Sequence, residues 1–472
     1  MDNEIVKELS KIVGEEYIST RRDVLLTYSA SASTSYERVF PGAVVRPGTT
    51  EEVSKILKVT NKHKIPVTPR GGGSSLQGEV IPQEDGLVVE LMRLSDITLY
   101  KDLRSVTVGA GVTFGVLEKY LKKSDLWIPY YPGSSLVATY AGNVSVNGAG
   151  FGSPIFGCVA EHVLGLEVVL PDGTIIQTGS EANPHALGPF IRYAFGPDLT
   201  GLFIGSLGTF GIITKVSLKT QKRMRFFDYN TYGFETVEKA QRFMQELRCN
   251  DISSIWVALY EGRILDFFLD LVGEEYGVPQ HEWPKYTVSI AFGRIREDQL
   301  KSDVKATEEL CEELGGHLIG IKELPKGEWE DRLREFVRSS YVHGWHWRIL
   351  YHHQPLSNWY KTMEALWAVM DEYGILGHTA GFQSQRSYNF YPQLYYDPQD
   401  NEEEKKVIAA HRDLSKRLFK TGAVPFKLAK YWIEGISEMD TYLSFLNRIK
   451  SEVDPNDILN PEIIPKPEGG EN

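Results

Sequence analysis

The sequence is poor in cysteine and has no long apolar run. Its three cysteines, Cys158, Cys249 and Cys311, are far apart, and no C-x-x-C pair occurs. This excludes an iron–sulfur cluster or a zinc knuckle held by the chain's own cysteines. No run of about 20 apolar residues is present, so we expect no membrane span. The first residues, MDNEIVKELSKIV, lack the apolar core of a signal peptide, which predicts a cytoplasmic protein.

Positive charge is also scarce. The chain has 63 acidic and 51 basic residues and a formal net charge of -12. Nucleic acids and anionic membranes bind basic surfaces, so we expect neither as a partner. We expect a small-molecule substrate instead, and a homodimer is compatible with an acidic enzyme of this size.

Glycine is abundant, and the first half of the chain contains two Gly/Ser-rich segments. A strand, a helix capped at Thr50 and a second strand lead into VTPRGGGSSLQG, residues 67–78. The second such segment occupies residues 131–152, and LPDG at 170–173 predicts the turn of a β-hairpin. These features predict one α+β unit over residues 1–219.

The composition changes from about residue 220 to residue 425. Glycine becomes less frequent, whereas tryptophan, tyrosine, phenylalanine and histidine become more frequent. Helical patterns such as TVEKAQRFMQELR alternate with strand patterns such as YTVSIAFGRI, as in a sheet covered by helices on one face. We therefore predict a second α+β domain over residues 220–425, followed by a C-terminal segment, 426–472.

The first glycine-rich loop has the chemistry of a phosphate cradle. Glycine accepts positive φ and has no side chain, so the N–H groups of Gly71–Gly73 can converge on an anion. Ser74, Ser75 and Gln77 add donors, and Arg70 either pairs with phosphate or anchors the loop. No lysine follows as in a P-loop, and NGAGFG lacks the spacing of a Rossmann fingerprint. The alternative for a single such loop is an ordinary flexible turn.

Several segments together resemble a known family. AVVRPGTTEEV, IPVTPRGGGSSLQG, GNVSVNGAG, LGLEVVLPDG and FIGSLGTFGIITKVSL occur in the order found in the FAD-binding domain of the vanillyl-alcohol oxidase and p-cresol methylhydroxylase superfamily. The resemblance is strongest to the branch of D-lactate dehydrogenases and the FAD subunit of glycolate oxidase. VDPNDILNP near the C-terminus extends it over most of the chain.

The resemblance implies a fold and a cofactor. The fold is α+β, with a two-part FAD-binding domain of the p-cresol methylhydroxylase (PCMH) type, formed by residues 1–219 and 426–472. Residues 220–425 would form an α+β cap, or substrate, domain with an antiparallel sheet. We expect noncovalent FAD, because Ser74 and Ser75 stand where some members have the histidine that attaches the flavin; attachment through a histidine of the cap is the alternative. The implied FAD contacts are Arg70, Gly71, Gly72, Gly73, Ser74, Ser75, Gln77, Gly78, Pro132, Gly133, Ser134, Ser135, Thr139, Gly142, Asn143, Gly208, Gly211, Ile212, Ile213 and Asn460.

A flavin enzyme of this kind needs a base and a substrate anchor. In HGWHWRILYHH, strand alternation places His346 and Arg348 on one face and Trp347 on the other. His346 or His378 is a candidate base, and Arg338, Arg348 or Arg386 is a candidate carboxylate anchor. The alternative for each is a structural or surface role.

The segment HTAGFQSQ, His378 to Gln385, corresponds to the family's two-histidine metal motif but has glutamine in place of the second histidine. We therefore predict no metal site, and zinc or iron held by the histidines of HGWH or of the adjacent HH pair is the alternative. In the tyrosine-rich run 387–397, Tyr391 is a candidate lining residue of an aromatic pocket; core packing is the alternative.

Three functions remain open. The first is oxidation of a small 2-hydroxy acid such as D-lactate or glycolate, and the second is oxidation of phenolic or other aromatic alcohols. The second branch carries a Tyr-Arg pair near the position where this chain has Phe426 and Lys427. The third is a non-redox flavin transferase resembling alkylglycerone-phosphate synthase. For either oxidoreductase, the electron acceptor is oxygen, a quinone, a carrier protein or an iron–sulfur partner subunit.

Overall fold

The computed structural model describes residues 1–32, 38–193, 196–261, 284–319, 346–427, 432, 436 and 438–465. We use "N-terminal region" for residues 1–219 and "cap region" for residues 220–425. In the described part of the chain, none of the helices combines the length and the apolar character needed to cross a membrane.

The N-terminal region begins with a four-stranded sheet in the order β1-β2-β4-β3. Strands β2, β4 and β3 are parallel, and the helix α3 connects β2 to β3. The N-cap of α3 is Thr49, one residue before the predicted Thr50, and its hydroxyl accepts a hydrogen bond from the Glu52 N–H. The elements are α1 Asn3–Val13, β1 Ile18–Ser19, α2 Arg22–Tyr28, β2 Ala43–Val45, α3 Thr50–His63, β3 Val67–Arg70 and β4 Leu87–Glu90.

A five-stranded antiparallel sheet follows, in the order β5-β6-β10-β8-β9. The predicted hairpin is confirmed, because β8 and β9 pair antiparallel on either side of residues 170–174. The strands are β5 Ile97–Tyr100, β6 Ser105–Gly109, β7 Leu126–Trp127, β8 Val163–Val169, β9 Ile175–Gln177, β10 Ile212–Lys219 and β11 Gln221–Lys222, with β7 pairing β11. The helices are α4 Phe114–Lys122, α5 Tyr140–Ser145, α6 Ser153–Phe156 and α7 Leu199–Phe203.

One apolar core joins these two sheets to the C-terminal segment. Val45, Val67 and Val108 are fully buried in it, and Leu459 from the C-terminal segment lies in the same cluster. Leu459 bridges to Val67, and the Asn460 N–H donates to the Val67 carbonyl. The chain therefore returns to β3 immediately before the first glycine-rich loop.

The cap region contains two antiparallel sheets. The first has the order β13-β14-β12-β15; in the second, β19 pairs with β16, β17 and β18, and β17 pairs with β20. Helices α8 and α9 lie on the first sheet, and α11 contacts β19 and β16 of the second. The strands are β12 Phe226–Phe234, β13 Ser254–Glu261, β14 Tyr286–Arg294, β15 His317–Ile319, β16 His346–Ile349, β17 His352–Pro355, β18 Gly377–Ser384, β19 Ser387–Tyr396 and β20 Val424–Pro425. The helices are α8 Val237–Cys249, α9 Glu297–Glu313, α10 Tyr360–Tyr373 and α11 Asn401–Lys420, and α12 Asp440–Val453 lies in the C-terminal segment.

Candidate active site

A cavity of about 340 Å³ lies between the glycine-rich segments and the second cap sheet. Residues 69–76, 131–134 and 207–213 contribute to one wall. Side chains of β16, β18 and β19 form much of the opposite wall. The volume is in the range of small-molecule and cofactor sites, roughly 300–1,000 Å³.

The first glycine-rich loop contacts the second one directly. A Cβ on Gly72 would lie 1.8 Å from the Val137 carbonyl oxygen, and one on Gly71 would lie 2.5 Å from Thr139 Oγ1. Atoms cannot approach so closely without a backbone shift, so this wall requires glycine at both positions. Arg70 acts as an anchor of the loop: its Nη1 donates to the Ala30 carbonyl at 3.2 Å, and its guanidinium lies over the Tyr28 ring.

The third glycine-rich segment is held by residues from the C-terminal segment. Gly208 has a φ of +74°, and Nδ2 of Asn460 donates to the neighbouring Leu207 carbonyl at 2.6 Å. The buried ammonium of Lys450 donates to the carbonyls of Thr209 and Leu459 at 2.9 and 2.8 Å. Lys450 also pairs with Asp454 at 2.5 Å. These contacts position the backbone of residues 207–209 against β3.

The cap wall follows the register of its central strand, β19. Gln393 is paired with His378 on β18 and with Ile349 on β16, and two residues earlier Tyr391 is paired with Ala380. Asn389 is paired with Phe382 one further step along the sheet. Because alternate residues of a strand share a face, β19 presents Asn389, Tyr391 and Gln393 to the cavity.

His378 is held in a polar network on this wall. The Tyr395 hydroxyl donates to Oε1 of Gln393 at 3.1 Å and lies 2.7 Å from Nδ1 of His378. In the tautomer with the proton on Nδ1, the imidazole donates to the Tyr395 hydroxyl, which donates to Gln393, and Nε2 carries no proton. Burial lowers the pKa of His378 to about 3, so the imidazole is neutral at physiological pH.

Aromatic rings extend across the cap wall. The ring centroids of Tyr351 and Tyr391 are 5.7 Å apart, those of Tyr391 and Phe382 are 6.4 Å apart, and those of Phe382 and Trp256 are 4.8 Å apart. All four residues line the cavity, together with Trp347 and Phe426. Burial raises the pKa of the Tyr391 hydroxyl, which is therefore protonated.

A buried ion pair connects the first glycine-rich loop to the C-terminal segment. Nζ of Lys427 lies 2.5 Å from Oε1 of Glu79 and 3.2 Å from the Ser75 hydroxyl. The Lys427 and Glu79 side chains are 7% and 4% exposed, and both residues line the cavity. Burial opposes ionisation of Glu79, but Lys427 and the hydrogen bonds from Lys427 and Ser75 outweigh it and lower the pKa of Glu79.

Comparison with known proteins identifies the glycine-lined wall. Residues 41–179 match the family model described as FAD binding domain. The chain carries an FAD-binding domain. It is 33% identical to glycolate oxidase subunit GlcD of Bacillus subtilis over 217 residues, and 35% identical to D-lactate dehydrogenase of Archaeoglobus fulgidus over 204 residues. These matches cover 46% and 43% of this chain, and each spans only 44% of the relative's length.

The fold of the whole chain is also matched. The crystal structure of p-cresol methylhydroxylase with substrate bound superposes with a TM-score of 0.86 at 19% identity, covering 100% of this chain and 98% of that chain. The predicted α+β fold with an FAD-binding domain of the PCMH type is therefore confirmed. The domain boundaries at residues 219 and 425 stay a prediction.

The FAD-binding domain places most of the predicted cofactor residues on the cavity. All of them line it except Gln77, Gly78 and Ser135. Gln77 and Ser135 are buried nearby, and the side-chain polar atoms of both have no hydrogen-bond partner among the described residues. A glycine cradle that a Cβ would obstruct, with Ser74 at its end, fits the phosphate-bearing part of FAD, whereas the Ser75 hydroxyl bonds Glu79 and Lys427.

The predicted catalytic residues are divided between two faces. His378 and Tyr391 line the cavity, but His346 and Arg348 do not. The His346 ring meets the edge of Tyr396 at 5.5 Å, and Arg348 lies 3.9 Å from Glu404 of α11. The predicted alternation of this strand therefore occurs, but with Trp347 and Ile349 toward the cavity.

Of the two remaining arginines, the structure describes one, Arg386, which is not part of the cavity lining. Arg386 is exposed in the turn between β18 and β19, and Arg338 lies outside the described residues. In the described ranges no group of three or more His, Cys, Asp or Glu side chains is arranged to hold a metal.

Sequence reasoning missed Glu79 and Trp256 as lining residues. Glu79 directly follows the predicted phosphate loop, and a carboxylate at that position does not indicate a ligand contact. Its ion-pair partner, Lys427, is 348 positions away in the sequence. In the sequence, Lys427 stands with Phe426 where the phenol-oxidising branch has its Tyr-Arg pair. No local pattern connects Lys427 to Ser75 or Glu79.

Proposed function

We propose that this protein is an FAD-dependent oxidoreductase that oxidises the CH–OH group of a small molecule. The observation that carries the proposal is one cavity that joins the glycine-lined wall of an FAD-binding domain to a cap wall bearing His378. Bound FAD supplies the hydride acceptor, the flavin N5 atom. We further propose that FAD is held noncovalently.

The chain's own residues would position the substrate and take its proton. The unprotonated Nε2 of His378 would accept the hydroxyl proton, and Tyr395 and Gln393 would hold the imidazole in that tautomer. Tyr391 and Phe382 would enclose the carbon skeleton, and Asn389 would supply a polar contact. The mostly aromatic lining would exclude water from the reacting groups.

A small 2-hydroxy acid is one candidate substrate. D-Lactate and glycolate are suggested by two relatives, a D-lactate dehydrogenase and a glycolate oxidase subunit, which match over less than half of their lengths. A carboxylate needs a cation, and the cations among the described lining residues are Arg70 and Lys427. Both already have partners, Ala30 and Tyr28 for Arg70 and Glu79 for Lys427.

An aromatic or phenolic alcohol is the second candidate, and a specific observation favours it. The row of rings from Tyr351 through Tyr391 and Phe382 to Trp256 provides edges and faces for an aromatic substrate. Such a substrate needs no carboxylate anchor. The electrons would then pass to oxygen, a quinone, a carrier protein or an iron–sulfur partner subunit.

The test is an anaerobic titration of the yellow protein with D-lactate, glycolate and an aromatic alcohol, 4-hydroxybenzyl alcohol. Bleaching of the flavin absorbance by one class identifies the substrate class. A yellow protein that no donor bleaches would contradict the oxidoreductase proposal and would favour a non-redox flavin enzyme. A colourless protein that cannot be reconstituted with FAD would contradict the cofactor assignment itself.

The role of His378 is tested separately by His378→Asn. We expect the rate of flavin reduction at saturating substrate to fall by about 100-fold or more, because a positioned base contributes roughly 10²–10⁴-fold. The absorbance spectrum of bound FAD should stay that of the native protein. An unchanged reduction rate would remove His378 from the mechanism.

A further inference from the structure

We infer that Glu79 determines specificity by neutralising Lys427, so that the cavity accepts neutral aromatic alcohols in preference to substrates with a carboxylate. The inference rests on the proposed function and names its substrate class. It concerns charge at one corner of the cavity, where the first glycine-rich loop meets the C-terminal segment.

The geometry holds Glu79 in this role. Its Oε1 lies 2.5 Å from Nζ of Lys427, and its Oε2 accepts hydrogen bonds from the Ser75 hydroxyl and, at 3.2 Å, from the Gln77 N–H. Both oxygens of the carboxylate are therefore engaged. Lys427 is similarly confined, because it contacts Ser75 and lies 5.6 Å from the centroid of the Tyr351 ring.

The electrostatic consequence follows from this confinement. An unpaired lysine beside a buried cavity attracts a carboxylate, but here the pair has no net charge. A substrate carboxylate that approached Lys427 would also approach Glu79, and two carboxylates in one buried site disfavour each other. Glu79 thus occupies the position beside the Lys427 ammonium that a substrate carboxylate would need.

The other described cation of the lining does not compensate. Arg70 lines the cavity, but its guanidinium donates to the Ala30 carbonyl and lies over the Tyr28 ring. The cap wall instead offers the rings of Tyr391, Phe382 and Trp256 with the amides of Asn389 and Gln393. Neutral hydrogen-bonding groups and ring faces match a neutral aromatic alcohol.

The experiment compares two ligands that differ in charge and are not oxidised: benzoate and benzamide. Their dissociation constants are measured on the FAD-loaded protein by calorimetry and by perturbation of the flavin spectrum. The native protein should bind benzamide at least as tightly as benzoate. Glu79→Gln, which keeps the side-chain shape, should improve benzoate binding relative to benzamide by about tenfold or more.

Removal of the cation provides the control. In the double variant Glu79→Gln with Lys427→Met, the gain for benzoate should disappear. Lys427→Met alone, which leaves a buried carboxylate, should weaken benzoate relative to benzamide beyond the native ratio. The single variant Lys427→Met tests the inference even where Glu79→Gln fails to fold or to hold FAD.

Three results would overturn the inference. One is native protein that binds benzoate tenfold more tightly than benzamide, which needs no variant. Another is an equal change for both ligands in Glu79→Gln and in Lys427→Met, as expected of a purely structural ion pair. The third is absence of binding by either ligand in every protein. None of these depends on turnover, so failure of the proposed oxidation is judged separately by the flavin titration.

Discussion

The two walls of the cavity are built in different ways. The FAD-binding wall depends on backbone approach, as where Gly72 touches Val137, and on carbonyls held by Lys450 and Asn460. The cap wall depends on side chains that project from a regular sheet, such as His378 on β18 and Tyr391 on β19. A side chain on a strand can be substituted without moving the backbone, whereas a substitution at a glycine that touches other backbone forces the backbone to move. Substitutions in the cap wall can therefore change which substrate the cavity accepts, while the cofactor wall stays the same.

Lys450→Met should have the largest effect on this comparison. The substitution leaves the buried Asp454 carboxylate without its cation, although the Ile458 and Leu459 N–H groups still donate to it, and removes the lysine hydrogen bond from two carbonyls. Breaking a buried ion pair by removal of one partner costs about 3–5 kcal/mol. We expect a loss of that size in the free energy of unfolding, measured with urea, and weaker retention of FAD. Lys405→Met, at an exposed pair with Glu402, is the control and should change little. Equal effects at the two positions would mean that the segment is not held by Lys450.

Gly72→Ala should weaken FAD binding by roughly 10–100-fold, since overpacking typically costs about 1–3 kcal/mol. The added methyl group would overlap the Val137 carbonyl, so the two loops must separate. Gly115→Ala in α4 is the matched control, because its nearest contact would be an ordinary 3.7 Å. Equilibrium dialysis of FAD gives both constants. If both variants bind FAD like the native protein, close loop contact is not what forms the cradle.

The cofactor wall was predictable from the sequence because its requirement is local. A run such as Gly71–Gly73 is needed wherever backbone must approach backbone, and that need is visible in the residue type itself. The residues that brace the wall were not predictable. Lys450 and Asp454 look like an ordinary i,i+4 pair on a helix surface, and only the folded chain places them under the third glycine-rich segment.

The cap wall was predictable only as alternation. The pattern of residues 346–349 assigned His346 and Arg348 to one face and Trp347 to the other, and this holds. The side that meets the cavity depends on α11, which contacts β16 and β19 and carries Glu404, the partner of Arg348. Helix docking is a long-range event, so periodicity alone could not distinguish the two faces.

Tyr395→Phe should slow flavin reduction by about tenfold or more without changing FAD affinity. The variant removes the hydroxyl that orients His378, so the imidazole can adopt the other tautomer or rotate. Stopped-flow reduction across a range of pH measures the rate and any displacement of its profile. Tyr388→Phe is the control: that hydroxyl donates to the Gly381 carbonyl and accepts from the Leu259 N–H, both at 2.7 Å. It should reduce stability and leave the reduction rate near native. A rate unchanged in Tyr395→Phe would show that His378 needs no orientation from Tyr395.

The smallest expected effect concerns acid stability, where the two regions also differ. Burial lowers the pKa of His352, His378 and His411 in the cap region to about 3. In the described N-terminal region burial lowers the pKa of one histidine, His162, to about 3. A histidine of the unfolded chain takes up a proton near pH 6.5, so the stability from each neutral buried ring is complete above that pH. It is lost as the pH falls from about 6.5 toward 3, and hydrogen exchange should show the cap region opening first.

A single substitution sharpens this difference. His411 lies on α11, away from the cavity lining, with Nε2 3.3 Å from the Ile349 carbonyl, and His411→Gln removes its titration while keeping a donor. The dependence of unfolding free energy on pH between 6.5 and 4 should become shallower by up to about 1.4 kcal/mol per pH unit, the limit for one proton. The same substitution at the exposed His185 is the control. The prediction is contradicted if amides of the cap and N-terminal regions lose protection at the same pH and His411→Gln leaves that pH unchanged. The buried cap histidines would then not govern unfolding in acid. If the cap opens first in the native protein and later in the variant, the cap region is the less acid-stable of the two regions because neutral imidazoles are buried within it.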